Sequence, residues 1–143
     1  LIHHQNSPFS LIMVKPDNFK ALNDKYGHDA GDAAIRIMGR ALRKYVGDDE
    51  KVMRYKGNAM AILTPEQGRK EAHKQAEDIR SFMETLDLKE ATEGSAFSVT
   101  SSVGIILFPE HGSEPGELID KSHELPLIGR ARGGDMILFP EDA

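Results

Sequence analysis

The distribution of apolar positions along the chain predicts a protein built from both strands and helices. Five segments have the apolar content and length of strands: residues 9–14, 51–55, 58–63, 97–107 and 136–139. The first is almost continuously apolar, which is typical of a central strand buried on both faces. The fourth alternates apolar with small polar residues, as a long strand does. Lys56-Gly57 separates the second segment from the third, so we predict a hairpin with these two residues at its tip.

Helical spacing of apolar residues predicts four helices between these strands. They cover residues 17–26, 32–46, 65–86 and 117–124, the first being a short helix or a turn. We expect the third helix to begin with Thr64 as its cap and Pro65 in its first position. Pro126 follows the fourth helix and is expected to end it early, because proline cannot donate the helical hydrogen bond.

The order of these elements is strand, helix, helix, hairpin, helix, strand, helix, strand. Because strands and helices are mixed and two strands are joined by a tight turn, we expect one sheet with both parallel and antiparallel neighbours. The fold class is therefore α/β (α+β), with a central sheet of about five strands covered by helices. A length of 143 residues suits a single domain, residues 1–143, with a real hydrophobic core.

Composition and charge exclude several classes of function. The net charge is −5 and the basic residues are scattered, so we expect neither nucleic acid binding nor direct membrane contact. The absence of cysteine rules out disulfides and thiolate chemistry. No apolar run reaches the roughly 18 residues of a membrane-spanning helix, and there is no signal-peptide pattern. The chain begins with Leu1 and is apolar by Phe9, so we interpret it as a piece of a longer polypeptide.

Residues 19–32 carry the most specific motif in the chain. They read Phe-Lys-Ala-Leu-Asn-Asp-Lys-Tyr-Gly-His-Asp-Ala-Gly-Asp. This stretch closely resembles the D-x-D-x-F-K-x-x-N-D-x-x-G-H-x-x-G-D signature of the GGDEF family of diguanylate cyclases. Weaker similarities follow in the family's order: Arg54 before the hairpin, residues 99–104, which resemble V-T-x-S-I-G, and an ending around Asp120 and residues 133–135. The resemblance covers essentially the whole chain.

The family resemblance implies both a fold and a reaction. The fold would be nucleotidyl-cyclase-like, with a central five-stranded mixed sheet surrounded by helices. Members of the family join two GTP molecules into cyclic di-GMP across a homodimer, each subunit holding one GTP. This chemistry needs residues that hold guanine, two divalent cations on the triphosphate, and a group that helps to deprotonate a ribose hydroxyl. The chain meets these requirements unequally.

The residues that match the guanine-binding part of the motif are present. Asn23 and Asp32 stand where the family hydrogen-bonds the base, and Phe19 lies in the same block. An amide can serve donor and acceptor edges of guanine, and a carboxylate can accept from its ring N–H and amino group. The alternative is that Asn23 caps a turn and Asp32 caps the next helix. Together with Lys15, these residues form the nucleotide-binding set that the resemblance implies.

The metal-binding part of the motif is altered. The first Asp of the family's D-x-D, a metal ligand, aligns with Lys15, and only the second is kept, as Asp17. A protonated lysine cannot coordinate Mg²⁺, and its charge repels a nearby divalent ion by roughly several kcal/mol at an effective dielectric of about 20. The carbonyl of Pro16 matches a further family ligand but cannot hold the ions alone. We therefore expect Mg²⁺ binding to be lost, with no metal site and no cofactor.

The hairpin that gives the family its name is altered as well. Where the family has Gly-Gly-Asp/Glu-Glu-Phe, this chain has Lys56-Gly57-Asn58-Ala59-Met60. The acidic residue in third place serves metal binding and catalysis in the family, and Asn58 cannot ionise. The glutamate in fourth place is replaced by Ala59, which has no functional group. With Lys15, these two degenerate positions imply that the chain has no catalytic residues and is not an enzyme.

Two other family sites also differ here. The product-inhibition motif R-x-x-D falls on residues 47–50, which contain no arginine, so we expect that site to be absent. For the basic residues of the family's last helix there are two candidates, Arg130 and Arg132; the alternative is that both lie on a solvated loop. If GTP binds, we expect the Lys15 ammonium to contact its phosphates, with Lys56 adding to this contact. Otherwise Lys15 points into solvent.

The leading hypothesis is a catalytically inactive, degenerate GGDEF domain, excised from a longer signalling protein, that binds GTP and regulates a neighbouring domain in cyclic di-GMP signalling. Its candidate partners are GTP, an adjacent sensor or EAL-type phosphodiesterase domain, and a second copy in a homodimer. Its expected location is the cytoplasm, whether or not the parent protein is membrane-anchored. One alternative is an active or altered diguanylate cyclase that uses Asp17, Asp24 and Asp32. Another is a purely structural dimerisation module.

Overall fold

A computed structural model of the chain describes residues 8–47 and 51–143. In chain order the elements are β1 Phe9–Pro16, α1 Phe19–Tyr26, α2 His28–Val46, β2 Lys51–Arg54, β3 Met60–Pro65, α3 Arg69–Thr85, β4 Ser101–Phe108, α4 Pro115–Ala131 and β5 Ile137–Leu138. A 3-10 turn, Pro140–Asp142, follows β5. The strands form one sheet in the order β2-β3-β1-β4-β5.

β1 is the central strand of this sheet. It pairs antiparallel with β3 and with β4, so that Ile12 lies opposite Ile62 on one side and Ile105 on the other. β2 pairs antiparallel with β3, and β4 pairs parallel with β5. Residues 10–14 are all buried, because helices cover both faces of the sheet here, and this explains their continuous apolar run. The predicted mixed five-stranded α+β sheet and its hairpin are confirmed.

The two faces of the sheet are covered unequally. Helices α1, α2 and α3 pack on one face around a large core that includes Ile12, Val14, Met38, Leu42 and Ile79. The opposite face carries α4 alone among the described helices, and there Leu11 and Met13 of β1 pack with Leu118 and Leu125. The alternation of side chains along β1 sends odd and even residues to different cores.

α4 lies close to the sheet at Gly104 of β4. A Cβ atom at Gly104 would stand 2.6 Å from the Cβ of Leu125 and 3.0 Å from the carbonyl oxygen of Ser122. The helix therefore packs directly on the strand backbone, and a larger residue at this position would force the two elements apart.

The prediction that Pro126 ends the fourth helix was wrong, because α4 continues through it to Ala131. The helix interior loses one hydrogen bond at Pro126, which destabilises a helix by about 3 kcal/mol. Pro126 and Leu125 are buried, and the ring of Pro126 lies against Gly104. Burial against the sheet offsets the lost bond, a contribution that local propensity does not include.

The third helix begins at Arg69 rather than at Pro65. Pro65 is instead the last residue of β3, where it lies opposite Phe9, and Thr64 precedes it in the same strand. Thr64 and Pro65, which were predicted to cap and begin the helix, therefore belong to β3 because they pair with the central strand. A short turn with Glu66 at a φ of 54° connects the strand to the helix.

The fourth strand begins at Ser101 rather than at residue 97. Its partner β1 ends at Pro16, directly opposite Ser101. Residues 97–100 therefore have no residues of β1 to pair with. Their alternating apolar and polar side chains were not enough to make them part of the sheet. The backbone carbonyl of Thr100 instead accepts a hydrogen bond of 2.9 Å from the N–H of Asp17.

The second helix begins at His28 rather than at residue 32. Gly27, with a φ of 95°, is the one residue between α1 and α2. Asn23 consequently lies inside α1, and Asp32 lies inside α2. Neither residue is a helix cap, so the structural alternative for this pair was wrong.

Part of the predicted inhibition segment, residues 48–50, lies outside the described residues. The expectation about that site therefore stays a prediction. Among the helices of the described residues, none is both long enough and apolar enough to span a bilayer.

We predict that Gly104→Ala destabilises the protein by about 1–3 kcal/mol, because the new methyl group meets the backbone and a side chain of α4. The matched control is Gly116→Ala in α4, where an added Cβ meets nothing within 4 Å. Alanine there should be neutral or stabilise the helix by up to about 1 kcal/mol. Urea unfolding of both variants measures the difference. Equal stabilities would show that the helix does not press on the strand at Gly104.

Candidate functional site

Asn23 and Gly31 form a close contact between α1 and α2. A Cβ atom at Gly31 would lie 1.8 Å from Oδ1 of Asn23 and 3.3 Å from the ring of Phe19. The absence of a side chain at Gly31 therefore makes room for the Asn23 amide. Within the described residues, the buried Oδ1 of Asn23 accepts no hydrogen bond. Leaving such an atom unpaired costs about 1–3 kcal/mol, so it is a candidate acceptor for a ligand donor.

The structure brings three of the four predicted nucleotide-binding residues together here. Asp32 follows Gly31 directly in α2 and is exposed, and Phe19 is buried in the larger core beneath Gly31. The short connection through Gly27 allows α1 and α2 to place Asn23 and Asp32 on adjoining turns. An amide and a carboxylate on adjoining turns offer hydrogen-bonding groups that suit a planar base with several N–H donors.

Lys15, the fourth predicted residue, lies near the end of β1 opposite Ser102. Its side chain is half-buried, and burial together with the positive charge of Arg130 lowers its pKa. Within the described residues, no carboxylate forms an ion pair with Lys15. An ammonium group without a nearby carboxylate can attract an anionic ligand.

The turn between β2 and β3 presents a second lysine, Lys56. The N–H of Tyr55 donates to the carbonyl of Ala59 at 2.8 Å, and the N–H of Ala59 donates to the carbonyl of Lys56 at 3.3 Å. Gly57 takes a φ of 64°, and its carbonyl accepts from Nη2 of Arg54 at 3.1 Å. The turn is therefore held by its own backbone, and glycine in its second position meets the need for a positive φ.

Asn58 and Ala59, the other two degenerate positions, are buried to different degrees. Ala59 is completely buried in the core on the α4 face. Asn58 is half-buried, and its Oδ1 is buried without a hydrogen-bond partner in the described residues. Neither side chain can ionise, so the turn contributes no negative charge to hold a cation or to accept a proton.

His123 of α4 lies beside this turn. Its ring meets the ring of Tyr55 edge-on with centroids 5.1 Å apart, and Nζ of Lys56 lies 5.7 Å from the centroid of the same Tyr55 ring. Burial, followed by the charges of Lys15 and Lys56, lowers the pKa of His123, against an opposing effect of Asp120. The Nε2 atom of His123 is buried and has no partner in the described part of the chain.

The two candidate arginines separate at the end of α4. Arg130 lies in the last turn of the helix, and its charge acts on Lys15. Arg132 turns away and donates from Nη1 to the carbonyl of Asp142 at 2.7 Å. The alternative that both lie on a loop was wrong for Arg130. Four basic groups thus lie around the end of β1, and we call them the basic cluster: Lys15, Lys56, His123 and Arg130.

Asp17 is the carboxylate nearest to Lys15 in the chain, and its oxygens are already bonded. Oδ1 accepts from the hydroxyl of Ser102 at 2.6 Å. Oδ2 accepts from the hydroxyl of Thr100 at 2.7 Å and from the N–H of Asp135 at 2.8 Å. A Cβ atom at Gly134 would come within 2.8 Å of this carboxylate. Asp17 is therefore a structural residue that links three segments.

The donor atoms around the basic cluster do not fit a divalent cation. Mg²⁺ requires an octahedral set of oxygen ligands with at least one or two carboxylates. Asp17 is occupied by three donors, and Asp24 is exposed and paired with Lys20 at 2.9 Å. The Lys15 ammonium adds repulsion. Asp17, Asp24 and Asp32 were the carboxylates considered for a rebuilt catalytic site. In the described residues, Asp32 alone of these three forms no hydrogen bond or ion pair through its side chain.

A second group of possible metal ligands consists of Glu110, His111 and Glu141. Arg69 forms ion pairs with both glutamates, to Glu141 at 2.6 Å. Burial raises the pKa of Glu141, but a backbone hydrogen bond, followed by those from Arg69 and His111, lowers it overall. Nδ1 of His111 accepts from the N–H of Leu107 at 2.8 Å. The guanidinium already supplies the positive charge in this group, so it is a structural network rather than a metal centre.

Sequence reasoning did not identify His123 as a site residue. His123 lacks metal-ligand spacing to any other histidine, and no local motif surrounds it. The position of α4 over the sheet brings it to the hairpin turn, and that packing is a tertiary property. One signal was available: His123 follows Ile119 by one helical turn, so both residues lie on one face of α4.

Comparison with known proteins identifies what this arrangement resembles. A family model described as diguanylate cyclase, GGDEF domain, matches residues 1–132. The diguanylate cyclase VdcA of Vibrio cholerae is 36% identical over 131 residues, which cover 91% of this chain and 36% of VdcA. The cyclic di-GMP phosphodiesterase NbdA of Pseudomonas aeruginosa is 30% identical over 125 residues, which cover 85% of this chain and 16% of NbdA.

A solved structure supports the same assignment. The crystal structure of the GGDEF domain of YfiN (also TpbB) from Pseudomonas aeruginosa matches with a TM-score of 0.84 and 25% identity, covering 93% of this chain and 82% of that one. The chain therefore corresponds to most of an isolated domain, but it spans only about a third of VdcA and less of NbdA.

We predict that the His123 ring titrates below the usual histidine range and that Lys15→Met raises its pKa, because one of the nearby positive charges is removed. Ring-proton NMR during a pH titration measures both values. Since the folded pKa is lowered, the unfolded chain takes up this proton first as the pH falls below about 6.5. The folded state loses stability in that range, and His123→Gln should lose less.

The control for this titration is Lys74→Met on α3, where the lysine pairs with Asp78 at 3.4 Å and does not act on His123. It should leave the pKa of His123 unchanged. A His123 pKa that does not respond to Lys15→Met would contradict the basic cluster.

Proposed function

This chain belongs to the GGDEF diguanylate cyclase family, and we propose that it is a non-catalytic member that binds GTP without a metal ion and passes the state of that site to a neighbouring domain in cyclic di-GMP signalling. The observation that carries the proposal is the Lys15 ammonium. It stands without a carboxylate partner, among the described residues, at the strand end where the family motif has a metal-binding carboxylate.

The base is held by Asn23 and Asp32 in this proposal. The unpaired Oδ1 of Asn23 accepts a hydrogen bond from the guanine edge, and the exposed carboxylate of Asp32 accepts from its N–H groups. The cost of leaving Oδ1 unpaired disappears when the base is present. Adenine offers a different pattern of donors on that edge, so the site should prefer guanine.

The triphosphate is held by the basic cluster. Lys15, Lys56 and Arg130 carry fixed charges, and charge-assisted hydrogen bonds of this kind contribute roughly 1.5–3 kcal/mol each. His123 adds one N–H donor when it is neutral and two when it is protonated. Burial lowers the pKa values of Lys15 and His123 most, and repulsion by the neighbouring positive charges lowers them further; an anion among these groups relieves that repulsion. The phosphates would thus stabilise the cluster as the cluster stabilises them.

The same substitutions remove the means of catalysis. Formation of a phosphodiester bond requires a charge-neutralising metal and activation of a ribose hydroxyl. Asn58 and Ala59 cannot ionise, and the oxygens of Asp17 are bonded to Thr100, Ser102 and the backbone. A fixed ammonium can neutralise a phosphate, but it cannot activate a hydroxyl as a metal ion does. Binding without turnover is the expected result.

We place the chain as one domain of a longer signalling protein. The matched relatives are several times longer, and NbdA is named as a phosphodiesterase. In this arrangement the domain would act on an adjacent sensor or EAL-type phosphodiesterase domain, alone or as a homodimer, on the cytoplasmic side where GTP is available. Nucleotide occupancy at the junction of α1, α2 and β1 would be the signal.

We predict that the purified chain forms no cyclic di-GMP from GTP with Mg²⁺ or Mn²⁺, because no metal ligand set and no acidic hairpin residue remain. Chromatographic analysis of the reaction products measures this, with an active family member as the positive control. Turnover at ordinary cyclase rates that is abolished by Asp32→Ala would show that the family's active site has been rebuilt from other residues.

We predict that GTP binds with an affinity that EDTA leaves nearly unchanged, and that Lys15→Ala weakens binding about tenfold or more, a loss of about 1.4 kcal/mol. Isothermal titration calorimetry measures both. Lys15→Arg should retain most of the affinity because the charge is kept, and Asn23→Ala should weaken GTP more than ATP.

The matched lysine control is Lys74→Ala, in an ion pair on α3, which should bind GTP like the unaltered chain. An affinity that requires Mg²⁺, or that is indifferent to Lys15→Ala, contradicts the metal-free site. No GTP binding at all would favour the purely structural dimerisation module.

A further inference from the structure

A groove lies on the α4 face of the sheet, at the edge that the helix leaves uncovered. It is a cavity of about 210 Å³ between the first turns of α4 and the strands β1, β2 and β3. Its lining is apolar and includes Leu11, Met13, Met53, Ala61, Leu118 and Ile119. Met53 and Ile119 are exposed at 48% and 36%, which is unusual for large apolar side chains beside a core.

The groove ends at the basic cluster. Along β1, Met13 lines the groove and Lys15, two residues later on the same face, belongs to the cluster. Along α4, Ile119 lines the groove and His123 follows one turn later. Two elements therefore change from apolar to basic in the same direction.

Tyr55 joins the groove and the cluster physically. Its ring lines the groove, meets His123 at 5.1 Å and lies beneath Nζ of Lys56 at 5.7 Å. Asp120 is the one carboxylate that acts on the charge of His123, and it is exposed. Within the described residues, no ion pair involves Lys15 or Lys56, so these two ammonium groups are free to attract an anion at the end of the groove.

We propose that this groove binds a medium-chain fatty acid anion, with its alkyl chain along the apolar lining and its carboxylate at Lys15, Lys56 and His123. The occupant is defined by charge complementarity: Tyr55 is the one polar side chain in an otherwise apolar lining, and the end of the groove carries the ammonium groups of Lys15 and Lys56. The cavity exceeds the roughly 150 Å³ that holds a benzene ring, so it accommodates a substantial part of a short alkyl chain. Burial of that chain supplies the driving force, and the charge sets its direction.

This site is separate from the proposed guanine-binding residues Asn23 and Asp32, and the inference does not depend on GTP binding. The two ligands would nevertheless share Lys15, Lys56 and His123. A bound fatty acid would therefore exclude the triphosphate, which couples the apolar groove to the proposed nucleotide site by direct competition.

The test is calorimetric titration of the nucleotide-free chain with sodium decanoate, decanol and decyltrimethylammonium. Light scattering checks that each compound stays below the concentration at which it aggregates. We expect saturable binding of one decanoate per chain. Decanol should bind about tenfold more weakly because it lacks the charge, and the cationic amphiphile should not bind measurably. Lys15→Gln should weaken decanoate about tenfold without changing the affinity for decanol.

Two substitutions to uncharged glutamine on α4 give a matched comparison between a residue that lines the groove and one that does not. Ile119→Gln removes an apolar side chain from the groove, whereas Leu127→Gln alters a similarly exposed residue, 41% exposed, that does not line it. We expect Ile119→Gln to weaken decanoate at least about fivefold and Leu127→Gln to change it less than about twofold. Thermal unfolding establishes that both variants are folded. Equal binding of decanoate and decanol, equal effects of the two variants, or no saturable binding of decanoate would overturn the proposal.

Discussion

The carboxylate of Asp17 holds together the end of the central strands on which the proposed sites depend. It accepts hydrogen bonds from the side chains of Thr100 and Ser102 and from the backbone of Asp135, so β1, β4 and the loop before β5 meet at one pair of oxygens. The loop passes so close that Gly134 has no room for a side chain. Charged hydrogen bonds of this kind are among the stronger ones in proteins. Lys15, two residues earlier, is thereby kept at a fixed strand end.

A fixed ammonium and a bound metal ion solve the same electrostatic problem with different consequences. Both neutralise phosphate, but the metal also orients ligands around itself and activates an oxygen nucleophile. Lys15 offers a positive charge on a flexible stem and no coordination geometry. Lys56, Arg130 and His123 add charge and donors without adding that capability. A site built from them is suited to recognise an anion and to leave it chemically unchanged.

The unequal covering of the sheet explains why binding surfaces occur where they do. The face under α1, α2 and α3 is completed as a large core, and the proposed guanine-binding residues, Asn23 and Asp32, belong to two of its helices. The other face has only α4 in the described structure, which presses onto Gly104 and leaves the β2–β3 edge open. The apolar groove is the uncovered part of that second core. Lys15, near the end of β1, belongs to both proposed sites, so one residue connects the two proposals.

Sequence patterns alone determined the central strand, the hairpin, the class of fold and the loss of acidic residues at Lys15, Asn58 and Ala59. These features are local: periodicity reports the burial of a segment, and a missing carboxylate is visible in any alignment with the motif. Asn23 and Asp32 were likewise found from their match to the family motif. The alternative, in which Asn23 caps a turn and Asp32 caps a helix, was excluded only by the structure, where Gly27 alone separates α1 from α2.

Tertiary structure decided everything that depends on which segments meet. Pairing with β1 extended β3 to Pro65 and limited the start of β4 to Ser101, against local propensity. Burial against Gly104 carried α4 through Pro126, and the continued helix brought Arg130 towards Lys15. His123 and the groove have no local signature, because they arise where residues far apart in sequence pack together. Strength of burial can be read from a sequence, but the identity of the neighbour cannot.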